Sequence, residues 1–280
     1  MRLLSTRDLA DALGVSESSL KRWIDAGKIA ASRTEGGHRR VEIAEAMRFI
    51  RTTHAPVARP ELLDLPEVNV ARASTRDLAS YLFEGDDTAA RGWLVARYLE
   101  GQTIAQLADG PIRAAMTQLG DLWNHDEAGI FIEHRATDIC LRGVAQLRAM
   151  MPDPDHDAPI ALGAGPPGDP YLIPSQLAAM VLMESGLRAI NLGPETPTAA
   201  LAKAITHHRP KLVWLSISVA LTPARSRALT RWISELPTSL AVAVGGQQMM
   251  TLRDVPPRVR RVFAMSELAE VGLGVVKRAA

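Results

Sequence analysis

Between residues 159 and 280, short apolar runs alternate with amphipathic stretches, and this alternation constrains the fold more than any other feature of the chain. The apolar runs fall at 159–162, 188–192, 212–217 and 240–244, and the helical stretches at 175–185, 198–208, 223–236 and 266–278. Neighbouring parallel strands need a crossover between them, and a helix of about a dozen residues is the usual one. The pattern therefore predicts an α/β, doubly wound, Rossmann-like domain over 159–280. Ligands meet such sheets at the carboxyl ends of the strands, where the loops gather.

The rest of the 280-residue chain divides at proline-rich joints, so a multidomain protein is expected. Residues 1–53 form the first domain, and 54–73, with Pro56, Pro60 and Pro66, read as a linker because proline removes backbone donors and restricts its predecessor. Residues 74–151 carry helical periodicity and little strand signal. Helices are predicted at 74–84, 86–100, 103–125 and 130–150, with Ser74 and Asp86 as N-caps and Gly85 and Gly101 as stops. A four-helix bundle is the simplest packing. A second joint, 152–159, precedes the α/β domain. The lone cysteine, Cys140, excludes an intramolecular disulfide and a Cys-rich zinc site. No run approaches 18 apolar residues and no leader is evident, so a cytoplasmic protein without membrane partners is expected.

Net charge is only +1, so any nucleic-acid binding must come from a local patch. The first 51 residues hold ten Lys/Arg against seven Asp/Glu. Residues 4–13 read as a short amphipathic helix opened by Ser5, and Gly14-Val15 as a tight turn. Ser16 then caps a second helix reaching Ala26 and is counted with its DNA-binding residues. Its buried side carries Leu20, Trp23 and Ile24; its other side offers Ser18, Ser19, Lys21 and Arg22 to a major groove. Next comes Arg33-Thr34-Glu35-Gly36-Gly37-His38-Arg39-Arg40-Val41. Paired glycines permit a tight turn, and Arg33, His38, Arg39 and Arg40 supply donors for phosphates. This helix-turn-helix with a basic loop resembles the winged-helix DNA-binding domain of MerR-type regulators. The resemblance implies double-stranded operator DNA as partner, bound by dimers or tetramers.

In the bundle segment, Trp123 is followed by Glu133-His134, with His125 in the intervening turn. This spacing resembles the cobalamin-binding photoreceptor repressors of the CarH/LitR family. The resemblance implies a bundle that caps the upper face of adenosylcobalamin, with Trp123 against the adenosyl group. In the α/β segment Ser216-Ile217-Ser218 and Gly245-Gly246 occupy the positions that line the nucleotide tail in cobalamin modules. The likeness runs through essentially the whole chain in the same domain order.

One loop departs from the pattern. Cobalamin modules carry Asp-x-His-x-x-Gly after the first strand, and the histidine binds cobalt from below. Here the loop reads Asp169-Pro170-Tyr171-Leu172-Ile173-Pro174, with Tyr171 at the histidine position. A phenol with an ordinary pKa near ~10 is a poor neutral cobalt ligand, and Asp169 has no imidazole to orient. Three readings stay open: cobalamin bound without that ligand, or with His125 or His134 as an axial ligand; haem in its place, since imidazole and phenolate both ligate haem iron; or a pocket that is empty or binds a protein partner. An enzyme is not expected. No room remains for a substrate-binding barrel, and Gly163-Ala164-Gly165-Pro166-Pro167-Gly168 lacks the lysine and serine of a P-loop. A DNA-binding transcriptional regulator, acting as a repressor through a ligand or light sensor, is the function expected; a cobalamin-dependent enzyme module is the other class.

Overall fold

A computed structural model describes residues 3–66, 76–121 and 127–279. The chain forms two compact units: Met1–Thr103 with Gly110–Pro152, and Ile104–Asp109 with Asp153–Ala280.

The first unit opens with strand β1, Leu3–Ser5, then helices α1, Thr6–Leu13, and α2, Glu17–Asp25. Leu4 was expected inside a helix. It instead pairs with Val41 across an antiparallel ladder and is buried, so the helix starts where Ser5 caps it in a capping box with Asp8. Strands β2, Ser32–Arg33, and β3, Arg39–Glu42, form a hairpin, and the sheet order is β1-β3-β2. Helix α3, Ile43–Thr53, packs Phe49 against Trp23 with ring centroids 5.2 Å apart. The segment expected to be a linker is partly packed. The amides of Ala58 and Arg59 donate to the Ala12 carbonyl, and Leu63 and Leu65 are buried, because a short 3-10 turn at Pro60–Leu63 points apolar side chains at the head.

Helices α4, Leu78–Glu84, and α5, Asp87–Leu99, follow. Both caps are acidic: Asp77 accepts from the Ser80 amide and Asp86 from the Ala89 amide. Ser74 lies outside the described residues. The third helix is not continuous as expected. It runs as α6, Ile104–Leu107, a π-helical turn, Ala108–Ile112, and α7, Arg113–Asp121. Pro111 lacks the amide that an α-helical ladder requires, so the ladder slips to the wider turn. Helix α8, Glu127–Met150, completes the bundle. Head and bundle belong to one unit: Arg51 donates to the Gln102 carbonyl at 3.1 Å and lies 3.7 Å over the Tyr98 ring.

The second unit is the doubly wound domain. Strands β4, Ile160–Ala164; β5, Arg188–Asn191; β6, Leu212–Ser216; β7, Ala241–Gly245; and β8, Val259–Arg261, form one parallel sheet of order β5-β4-β6-β7-β8. The fifth strand has only three residues, two of them arginine, and lacks a readable apolar run. Helices α9, Ile173–Glu184; α10, Thr198–His208; α11, Pro223–Glu235; and α12, Met265–Ala279, cover the faces. Leu201 of α10 and Leu229 and Ile233 of α11 share one core with Leu162, Val213 and Val242 of the sheet. On the other face α9 and α12 pack together, with the Ser185 hydroxyl donating to the Ala269 carbonyl. Strand order reverses between β4 and β6, the place at which ligands meet sheets of this kind, beside the loops after those two strands.

Candidate nucleic-acid interface and ligand site

Ser16 is consumed by the fold of the recognition helix. Its hydroxyl accepts from the Ser19 amide and lies 2.9 Å from the hydroxyls of Ser18 and Ser19, so it caps α2. Ser18, Lys21 and Arg22 project from the helix that it starts. Lys21 pairs with Glu17 at 2.9 Å, and Arg22 donates to the Ser19 hydroxyl at 3.1 Å. The bonds from Lys21 and Thr6 hold the Glu17 carboxyl below its ordinary range, so it stays anionic and holds Lys21 along the helix. These exposed contacts exchange readily for phosphate.

The basic loop is the wing, closed by Gly37 N–H to Thr34 carbonyl at 2.8 Å and Thr34 N–H to His38 carbonyl at 3.0 Å. Strand geometry separates its arginines. Arg33 faces Arg39 across the hairpin, whereas Arg40 faces Ser32, and successive residues point to opposite sides. Arg33 and Arg39 share the side of Val41, which is buried beneath the helices. Arg39 also reaches Asp25 at the end of α2, at 2.5 Å, and so latches the wing to the recognition helix. The expected four-residue basic cluster is therefore split. Arg39 is fastened to α2, Arg33 stands opposite it in the ladder, His38 stands near the tip, and Arg40 points to the other side of the strand.

In the bundle, Glu133 and His134 occupy consecutive positions on α8 and diverge. Glu133 is turned inward and accepts from the Thr137 hydroxyl at 2.8 Å; His134 is exposed, with Nε2 3.7 Å from Glu133 Oε2. Trp123 and His125 lie outside the described residues. Cys140 is buried in the same helix, and burial pushes its thiol up to about 12.

At the carboxyl edge of the second unit, the loop after β4 is tied down by bonds to two other loops. Gly165 N–H donates to the Gly193 carbonyl, Glu195 N–H to the Asp169 carbonyl, and Gly168 N–H to the Glu195 carboxylate. Asp169 is buried at 2% exposure, and its carboxylate accepts from the amides of Ser218 and Tyr171. Sequence reasoning missed this role: without an imidazole to orient, Asp169 joins the loops after β4 and β6. Tyr171 is 52% exposed beside it. Ser216 ends β6, buried, and the Ser218 hydroxyl oxygen is buried with no hydrogen-bond partner among the described residues.

Gly245 and Gly246 earn their place through protein contacts. Gly246 has φ +103°, and a Cβ there would lie 2.4 Å from the Ile217 carbonyl oxygen; at Gly245 it would meet Val262 at 2.9 Å. Their lack of side chains lets β7 close on the Ser216–Ser218 turn, where Ile217 N–H donates to the Gly245 carbonyl.

Two features of this edge bear on a ligand. Tyr171, Leu172, Leu192, Met250 and Phe263 are large apolar or aromatic side chains left exposed on the loops after β4, β5, β7 and β8. Each is exposed at the carboxyl edge of the sheet, spread over the loops from β5 on one side to β8 on the other. The histidines of this unit, His156, His207 and His208, stand before β4 and at the end of α10, at the opposite edge of the sheet. Among the described residues this edge thus offers exposed apolar side chains and a buried hydroxyl, and no imidazole. Among the described residues there is no group of three or more His, Cys, Asp or Glu able to hold a metal ion. No helix among them is long and apolar enough to cross a membrane.

Residues 3–53 match the helix-turn-helix domain family, and residues 75–148 match the B12 binding domain family. The chain is 26% identical over 258 residues to the HTH-type transcriptional repressor CarA of Myxococcus xanthus, covering 87% of this chain and 86% of that protein. In fold it is similar to the monomethylamine corrinoid protein of Methanosarcina barkeri, with a TM-score of 0.54 and 16% identity over 71% of this chain and 96% of that one.

Proposed function

From a chain that joins a helix-turn-helix domain to a B12 binding domain, we propose a DNA-binding transcriptional regulator, a repressor, whose sensor takes cobalamin without an imidazole from the sheet beneath cobalt. The observation that carries the ligand half is the match of residues 75–148 to the B12 binding domain family, together with a first loop of the α/β unit that presents an exposed Tyr171. The corrin supplies a broad apolar face and a metal centre; the chain supplies the surface under it, the Ser218 hydroxyl for a polar group, and a loop held by Asp169.

The finer parts of the proposal rest on the resemblance to CarH-type photoreceptors. They are that the corrinoid is adenosylcobalamin, that Trp123, His125, Glu133 and His134 contact its upper side, that light is the signal, and that the regulator binds DNA as a dimer or tetramer in the cytoplasm. For the DNA half, Ser18, Ser19, Lys21 and Arg22, on the helix that Ser16 starts, read the groove, and Arg33, Arg39, His38 and Arg40 hold phosphates, with Arg33 and Arg39 contributing most because they share the side of the wing that Arg39 fastens to α2.

The test is a titration of the full chain with hydroxocobalamin and, separately, haemin, followed by visible spectra and by mass spectrometry of what the purified protein carries. Corrinoid binding in the micromolar range, with spectra lacking an imidazole on cobalt, is expected. Preference for haemin would move the assignment to an iron porphyrin with Tyr171 as ligand. Binding of neither would remove the cobalamin half.

A further inference from the structure

The two faces of the second unit differ in charge. On one face, α10 and α11 carry Lys203, Arg225, Arg227 and Arg231 with a single acid, Glu235. On the other, α9 and α12 carry Glu184, Glu267 and Glu270 against Lys277 and Arg278. The loop after β7 adds to the basic side. The Arg253 amide donates to the Ser226 hydroxyl, and the Thr230 hydroxyl donates to the Arg253 carbonyl. Ser226 and Thr230 are one turn apart, and Arg227 and Arg231 follow each by one residue, so Arg253 stands alongside the stripe that Arg227 and Arg231 form. All three are exposed, and among the described residues none makes a side-chain hydrogen bond or ion pair. Lys203 and Arg209 border a surface depression of about 640 Å³ on α10 of the same face.

A chain of net charge +1 has concentrated unpaired cations here at the cost of mutual repulsion. The cations of α11 and its neighbouring loop are all arginine, the side chain whose planar fork matches phosphate oxygens in pairs. We propose that the α10–α11 face is a second contact with the DNA backbone, independent of sequence, centred on Arg227, Arg231 and Arg253. It rests on the reading of the head as DNA-binding, since a duplex already held there presents a row of phosphates at high local concentration. The face adds affinity and salt dependence, and leaves base selection to α2.

The test uses the full chain and a fluorescent mixed-sequence 60-base-pair duplex, titrated at several salt concentrations. The Arg227→Ala/Arg231→Ala/Arg253→Ala variant is expected to bind about tenfold more weakly near ~0.1 M salt, with a log–log salt slope shallower by roughly two to three. The corresponding triple lysine variant keeps the slope and so separates lost charge from lost fold, as does an unchanged melting temperature in both. An unchanged affinity and slope in the alanine variant, with both falling in Arg33→Ala/Arg39→Ala, overturns the second contact and leaves the reading head standing. Failure of the unaltered chain to bind the duplex even at low salt sinks both.

Discussion

The wing and the loop after β4 are both turns that carry a family-like motif, yet they are built by opposite means. The wing closes on itself within a few residues, as in the His38 amide donating to the Thr34 hydroxyl four positions back. The loop after β4 is shaped from far away: Gly168 is tied to Glu195, 27 residues on, and Asp169 to Ser218, 49 residues on. In the wing, side-chain identity and geometry are inseparable, because each arginine's direction follows from its place in the ladder. In the loop, the backbone amides, the Asp169 carboxylate and the Glu195 carboxylate fix the shape, and none of these depends on what residue 171 is. The side chain at 171 can therefore change without loss of fold.

The largest effect that would test this comparison is expected at Gly246. Gly246→Ala forces a Cβ onto the Ile217 backbone at an unfavourable φ, and a loss of roughly 3 kcal/mol is expected from urea unfolding. A loss under ~0.5 kcal/mol would mean the turns at this edge yield easily. Next, Asp169→Ala leaves the Ser218 amide without its charged acceptor and is expected to cost about 2 kcal/mol in the same measurement. Unchanged stability would show that the loop does not depend on its distant ties.

In the wing, Arg33→Ala/Arg39→Ala is expected to weaken DNA binding about tenfold and to lower the salt slope by roughly two. Arg40→Ala, on the opposite side of the strand, should lower affinity less. Equal losses in a fluorescence titration would erase the distinction between the two sides. Smaller still is the stability change for Tyr171→His, within ~0.5 kcal/mol of the parent because the side chain is half exposed. Its corrinoid affinity should rise, with a spectrum that reports imidazole on cobalt; unaltered affinity and spectrum would show that the backbone there cannot present a ligand. Cys140 serves as a reference belonging to neither turn. Its folded pKa lies above the unfolded value, so its contribution to stability is complete below pH 9 and is lost as pH rises toward about 12. At pH 8 the native thiol is expected to resist alkylation; rapid labelling would place it nearer the surface.

The same contrast explains what the sequence made legible. The recognition helix, the wing and four of the sheet's strands follow local rules, through N-caps, paired glycines and apolar runs, and each lies close to its expected position. The doubly wound fold was legible for the same reason. What escaped was set from a distance. β1 is a strand because β3 pairs with it, and β8 because β7 does. Residues 58–65 pack because Ala12 and the head receive them. Asp169 looked idle because its partners are amides that no motif encodes. Arg39 and Arg40 looked like a pair because strand alternation is invisible until the strand is assigned.

Asp109, in the π-helical turn, accepts from the amides of Met265 and Ser266 at 2.7 and 2.9 Å and so caps the first turn of α12. Ile104 donates to Glu184 at 2.8 Å, fastening the other end of the same short segment to α9. Six residues from the middle of the chain thus complete a unit whose remainder begins at Asp153. On the ribosome, Asp109 emerges 156 residues before the amide it caps. At about 5–20 residues per second it waits roughly 8–30 s for that partner. Over that interval the short segment's carboxylate is without the amides that it caps, and α12 is the helix that supplies them. A fragment starting at Asp153 would lack the segment altogether, leaving Glu184 and the start of α12 without their caps, however cleanly the cut falls between helix and strand.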